Sequence, residues 1–249
     1  LLPTNAIENV LAQIEGDYGK VLDNKIKKSK RLTRKDHEKV ALYISTLESR
    51  TIKQQNHLRN FLNQLNETGR AISLGYNAPD AADRWSKKIE MMEEIFFAES
   101  ILVSLDVNKW QPLDFCFLRP SDTVDIEFIT SDHPVTVTDF TKGNSPFGLN
   151  HWHKTAECVV PLTPKIALFG NACGITGYKE IDYDFVREIN NRTLRRADKM
   201  IISASPIPEY EEKAIVERAP QSLLLNFLRL PNGQIDKIIK KQDKQEQYK

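Results

Sequence analysis

The chain has 249 residues, 40% of them hydrophobic and 28% charged, a make-up that predicts a soluble globular protein able to bury a sizeable core. Lys and Arg number 35 against 34 Asp and Glu, so the net charge is +1. That balance argues against a dedicated nucleic-acid coat protein and confines any phosphate contact to a local patch, and no run of eighteen apolar residues offers a membrane span.

The N-terminal signal is helical. Ile7, Val10, Leu11, Ile14 and Tyr18 recur at three- and four-residue spacing, with Thr4 as a cap, Pro3 just outside, and Gly16 and Gly19 weakening the end. A second helix is expected from Thr33, where Asp36 three residues on resembles a capping box. Its stripe (Val40, Tyr43, Ile44, Leu47) continues through Leu58, Phe61, Leu62 and Leu65. Residues 69–79 read as a loop, and a third helix follows from about Asp80 with Trp85, Ile89, Met92, Ile95 or Phe96, Ala98 or Glu99, and Leu102 along it. These stripes need a partner surface.

After Trp110-Gln111-Pro112 the period becomes strand-like: 113–118, 124–130, 135–138, 157–160 and 166–169 are short β-rich runs. Two prolines in Pro161-Leu162-Thr163-Pro164 predict a turn or an edge there. Residues 185–198 return to helix with Ile189, Leu194 and Ala197 inward, and 200–203 read as a strand. Runs 214–218 and 223–228 are ambiguous, the latter alternating poorly enough to fit a buried helix turn, and 240–249 is a polar, fraying tail. The organisation expected is a helical region (1–109), a β-rich region (110–239) and a tail (240–249). The fold class expected is α+β: an N-terminal helical region packed on a mixed, mostly antiparallel sheet with one covering helix. The chain opens on Leu1, not Met, as expected of a fragment or processed form, so a targeting segment can lie outside it. Cys116, Cys158 and Cys173 form no CxxC pair, and the first two have apolar neighbours, which predicts reduced, buried thiols in a cytoplasmic protein.

The run Phe128-Ile129-Thr130-Ser131-Asp132-His133-Pro134-Val135 combines backbone restriction with titratable groups. With Val160-Pro161-Leu162-Thr163-Pro164-Lys165, it resembles the bacterial family named domain of unknown function 4238, in which a TSD-x-P-V turn precedes a PL-S/T-P turn. Asn190 and Ala197 match an Asn and an Ala on that family's later helix, and Arg50-Thr51 matches its helical R-T segment. The resemblance runs from about Ile7 to about Pro206. It lacks the family's opening His-Tyr-Val-Pro segment, so any chemistry needing that histidine has no counterpart in the visible chain. The family name implies a fold and a pattern but no reaction.

Four constellations could carry chemistry. Pro134 fixes its own φ and pushes His133 into the extended region, so the rigid turn either holds Asp132 and His133 as catalytic groups or uses Asp132 only to cap its own backbone. His151, His153 and Glu157 share one face if their run is extended, and with Asp132 they would suit zinc or another divalent metal; in a loop the histidines are merely solvated. The segment 20–39 carries Lys20, Lys25, Lys27, Lys28, Lys30, Arg31, Arg34, Lys35 and Lys39 against Asp23, Asp36 and Glu38. It either meets the phosphates of a nucleic acid or is a solvated interhelical stretch. Arg192 and Arg196 share a helical face near Asn190, and bind an anionic ligand or pair with Glu188 and Asp184. Asp125 and Glu127 share a strand face without a nuclease-like lysine, and no phosphate-cradling glycine loop, nucleophile elbow or HExxH motif occurs.

Two function classes stay open. One is a catalytic or ligand-binding domain, most concretely metal-dependent phosphodiester hydrolysis or another nucleic-acid-directed activity in bacteria. The other is a non-catalytic interaction module with a protein partner or a second copy, in which Asp132 is a structural turn residue.

Overall fold

A computed structural model describes residues 6–104, 113–139, 155–206 and residue 223. The expected cap at Thr4, the Trp110 boundary, the run holding His151 and His153, residues 214–218, the 223–228 run apart from Leu223, and the tail lie outside them. The architecture is α+β: helices α1 (Ala6–Val21), α2 (Arg34–Ser49), α3 (Ile52–Gly75) and α4 (Pro79–Ser104) precede a mixed sheet covered on its other face by α5 (Tyr183–Arg196).

In α1 the buried face is Leu11, Tyr18 and Val21, whereas Val10 of the expected stripe is exposed. The helix runs through Gly16 and Gly19 into a π-helical turn (Leu22–Ile26), because burying Tyr18, Val21 and Ile26 outweighs a glycine cost of about 1 kcal/mol per position. The capping box at α2 is present: Asp36 N donates to Thr33 Oγ1, and Thr33 N donates to Asp36 Oδ2 at 2.7 Å. The expected single stripe from Val40 to Leu65 is instead two helices. The hydroxyls of Ser49 and Thr51 donate back to the carbonyls of Thr46 and Glu48, which satisfies the end of α2 and lets the chain turn.

The loop expected over 69–79 shrinks to residues 76–78, with Asn77 in the left-handed region. Helix α3 passes through Gly69 because the Trp85 indole occupies the space of its absent side chain: a Cβ there would lie 2.1 Å from Trp85 Nε1. Helices α3 and α4 run antiparallel, crosslinked by the Arg59–Glu93 ion pair and by Trp85 donating to the Leu65 carbonyl.

The main sheet has the order β3-β4-β5-β1-β6, with β1 (Asp114–Pro120), β3 (Thr136–Asp139), β4 (Ala156–Thr163), β5 (Ile166–Asn171) and β6 (Gly177–Ile181). All neighbours are antiparallel except β1 and β6, which are parallel. Side chains alternate between faces. Phe115, Phe117, Cys158, Val160 and Leu168 pack on α1 and α2, while Cys116, Val159, Ala167 and Phe169 pack with Val186 and Ile189 of α5 and with Leu223. Pro161 stays within β4, where the pairing to β5 is bulged, so the expected turn begins only at Pro164. Of the expected strand 124–130, only Thr130 is paired in a strand, as part of β2 (Thr130–Ser131) against β7 (Ile201–Ile202).

Candidate functional site

Helix α5 gathers most of the residues singled out above. Asp182 caps it by accepting from Phe185 N, and its inner face carries polar groups among the apolar ones: Glu188, Asn190, Asn191, Arg192 and Thr193 are buried. Alternation along β4 turns Glu157 toward the same face as Val159, under α5. There the Arg192 guanidinium donates to Glu157 Oε2 at 2.8 Å and to Glu188 Oε1 at 3.1 Å. The side chains are 2%, 1% and 7% exposed, so three charges sit in the core. The backbone N–H of Leu223 also donates to Glu157 Oε2, at 3.0 Å. Glu188 and Arg192 are four apart on one helix turn, a pairing legible in sequence; Glu157 comes from a strand 35 residues away.

Asn190 stitches the chain entering the Ser131–Pro134 turn to α5. Its Oδ1 accepts from Ile129 N at 3.1 Å and its Nδ2 donates to the Glu127 carbonyl at 2.8 Å. Asp132 lies beyond the other end of the helix, where its carboxylate accepts the backbone N–H groups of Asp198 (3.0 Å) and Lys199 (2.8 Å). Desolvation pushes the Asp132 carboxyl up, but these donors outweigh it and hold it below the ordinary carboxylate range. The geometry is that of a cap reaching across the fold.

His133 is 5% exposed, and its backbone N–H donates to Ser131 Oγ. Arg196 Nε donates to His133 Nδ1 at 3.4 Å. Arg196 is half-buried and makes no carboxylate salt bridge among the described residues. Burial lowers its pKa, opposed by Glu48 near the end of α2. Glu48 carried no sequence signal, because nothing local marks it as a neighbour of Arg196.

Asp132, His133, Asn190, Arg192, Arg196 and Glu157 thus all meet around α5. His151 and His153 lie outside the described residues, among which no group of three or more His, Cys, Asp or Glu stands together to hold a metal ion. Glu127 pairs with Lys165 and accepts from Ser205. Cys116 is fully buried and its thiol is pushed up to about 11 by burial, which leaves little nucleophilic thiolate at neutral pH. In the basic segment, Lys25 pairs with Asp36, Lys27 with Asp23 and Arg34 with Glu38, while Lys20 and Lys39 reach Asp17. Lys28, Lys30, Arg31 and Lys35 have no acidic partner among the described residues. No described helix is long and apolar enough to cross a membrane.

Fold and cluster together define an α+β protein whose covering helix carries a buried arginine–glutamate triad and ties down a Ser-Asp-His-Pro turn. The chain belongs to the family described as "Protein of unknown function (DUF4238)", whose profile matches residues 3–206. No curated protein and no solved structure matches it.

Proposed function

We propose that the chain is a ligand-binding domain that captures an anionic group, phosphate in the most concrete version, at Arg196, which His133 and the Ser131–Pro134 turn hold in place. The observation that carries this is Arg196 itself: a half-buried guanidinium beside an accepting imidazole, with no carboxylate salt bridge among the described residues. A guanidinium in partial burial favours an anion that fits its planar fork. Asn190 and Asp132 act as positioning residues that hold the turn, and the Arg192 triad supports the helix from inside. Metal-dependent hydrolysis draws no support from Glu157, the one described member of the expected ligand set besides Asp132, because it is engaged by Arg192 and Leu223. Nucleic acid is the polymeric form of the same anion, and Lys28, Lys30, Arg31 and Lys35, which have no acidic partner among the described residues, would offer it a separate phosphate contact on the far side of the sheet.

The test is thermal unfolding with rising inorganic phosphate. Binding at a hundredfold excess over Kd would add about 2.7 kcal/mol. The shift should vanish in Arg196→Gln and persist in Arg195→Gln, which changes an exposed neighbour. A shift retained in Arg196→Gln, or no shift in the parent, refutes the proposal. For nucleic acid, binding must weaken steeply with salt.

A second function, a protein-interaction module, is favoured by one observation. Phe61, Ile72, Leu74, Tyr76 and Met91 are all more than half or about half exposed on the α3–α4 hairpin. Concentration-dependent sedimentation that Phe61→Ser with Tyr76→Ser abolishes would support a second copy as partner.

A further inference from the structure

On the face of the sheet opposite α5, and at the opposite edge, a cleft of about 860 Å³ opens between the first half of α2 and strands β1 and β6. A volume of this size suits a small molecule. Its wall is apolar where Leu32, Ala41, Leu113 and Phe115 face it. His37 lies against Phe115, with ring centroids 5.7 Å apart. Burial keeps His37 below the ordinary imidazole value, although Asp36 and Asp114 pull it up. The cleft is held open by side chains that fix the basic segment to the sheet. Arg119 donates to the carbonyls of Ile26 and Lys27 at 2.6 and 2.8 Å, and the Tyr178 hydroxyl donates to the Lys30 carbonyl at 2.7 Å.

Charges in the lining are unequally used. Arg34 is paired with Glu38, and Asp114 accepts the backbone N–H of Gly174 at 3.0 Å. Arg31 lines the same cleft, is exposed, and has no acidic partner among the described residues. An apolar wall beneath a guanidinium with no acidic partner among the described residues matches a ligand with an apolar body and one acidic head. We infer that this cleft binds a small aromatic monoanion, its ring on the Leu113 and Phe115 wall and its acidic group on Arg31.

The probe is the aromatic sulfonate 8-anilino-1-naphthalenesulfonate, followed by its fluorescence on the whole chain, with 1-naphthoate and uncharged 1-naphthalenemethanol as competitors. Saturable one-site binding is expected, displaced more strongly by the naphthoate than by the alcohol. Arg31→Gln should weaken it by about two- to fivefold, the range of a solvent-exposed ion pair. Thr176→Trp, which places a large ring at the exposed rim, should abolish it. Both substitutions are at surface positions, and circular dichroism checks the fold. Binding unchanged in Thr176→Trp, equal displacement by acid and alcohol, or no saturable binding overturns the inference.

Discussion

Replacing Arg192 by Met should be among the most damaging single substitutions in the chain. Its contacts to Glu157 and Glu188, at 2.8 and 3.1 Å, correspond to attractions of about 6 and 5 kcal/mol at an effective dielectric of ~20. Much of that gross attraction only offsets the desolvation of three charges, so the net worth of the triad is small. Removing the arginine alone, however, leaves two buried carboxylates without its compensating charge, and such losses cost about 3–5 kcal/mol. For a chain of this length that lowers Tm by roughly 6–20 °C. Replacing all three (Arg192→Met, Glu157→Met, Glu188→Leu) removes the charges together. It leaves the Leu223 N–H without its acceptor, at about 1–3 kcal/mol, so the triple variant should be more stable than the single one. Urea unfolding with unchanged slope gives both values directly. An Arg192→Met loss below about 1 kcal/mol, or a triple variant less stable than the single, would show that the triad is not the charge-locked unit described.

Asp132→Ala should cost about 1–2 kcal/mol, as for a lost cap, through the freed N–H groups of Asp198 and Lys199. Because the folded carboxyl titrates below its unfolded value, this contribution is present above about pH 4 and lost as pH falls, so parent and variant should converge in acid. Asp36 is held at about 2 against an ordinary 3.8: burial raises it, and Lys25 with both the hydroxyl and the N–H of Thr33 outweigh burial. Its contribution should therefore disappear between about pH 4 and pH 2, and Asp36→Asn should flatten that limb of an acid-unfolding curve. Gly69→Ala forces the Trp85 indole off the Leu65 carbonyl; an overpacking loss of about 1–3 kcal/mol is expected, with altered tryptophan fluorescence, and an unchanged spectrum would count against the packing.

What was legible in the sequence was local. The Thr33–Asp36 capping box, the period-two strands and the Glu188–Arg192 spacing all lie within one turn or one strand, where residue type and geometry are coupled directly. Misreadings arose where a distant residue decides. Gly69 looks like a helix breaker until Trp85, sixteen residues on, is seen to need its empty side. Strand β6 presents mostly exposed residues and owes its existence to a parallel partner more than fifty residues earlier. Asp132 reads as the cap of its own turn, yet two of its donors lie 66 and 67 residues later.

The contrast between Arg192 and Arg196 shows why the second is the better candidate for ligand contact. They lie four residues apart on one face of α5, so the helix alone would treat them alike. The neighbours differ. Strand β4 and the helix itself bring two carboxylates to Arg192, whereas the Ser131–Pro134 turn brings an imidazole nitrogen to Arg196. Arg196 also stands in the last turn of α5, where the partial negative charge of the helix end stabilises a cation. That end effect and Glu48 keep the guanidinium charged despite its burial, and a charge retained without a salt bridge among the described residues is what an incoming anion requires.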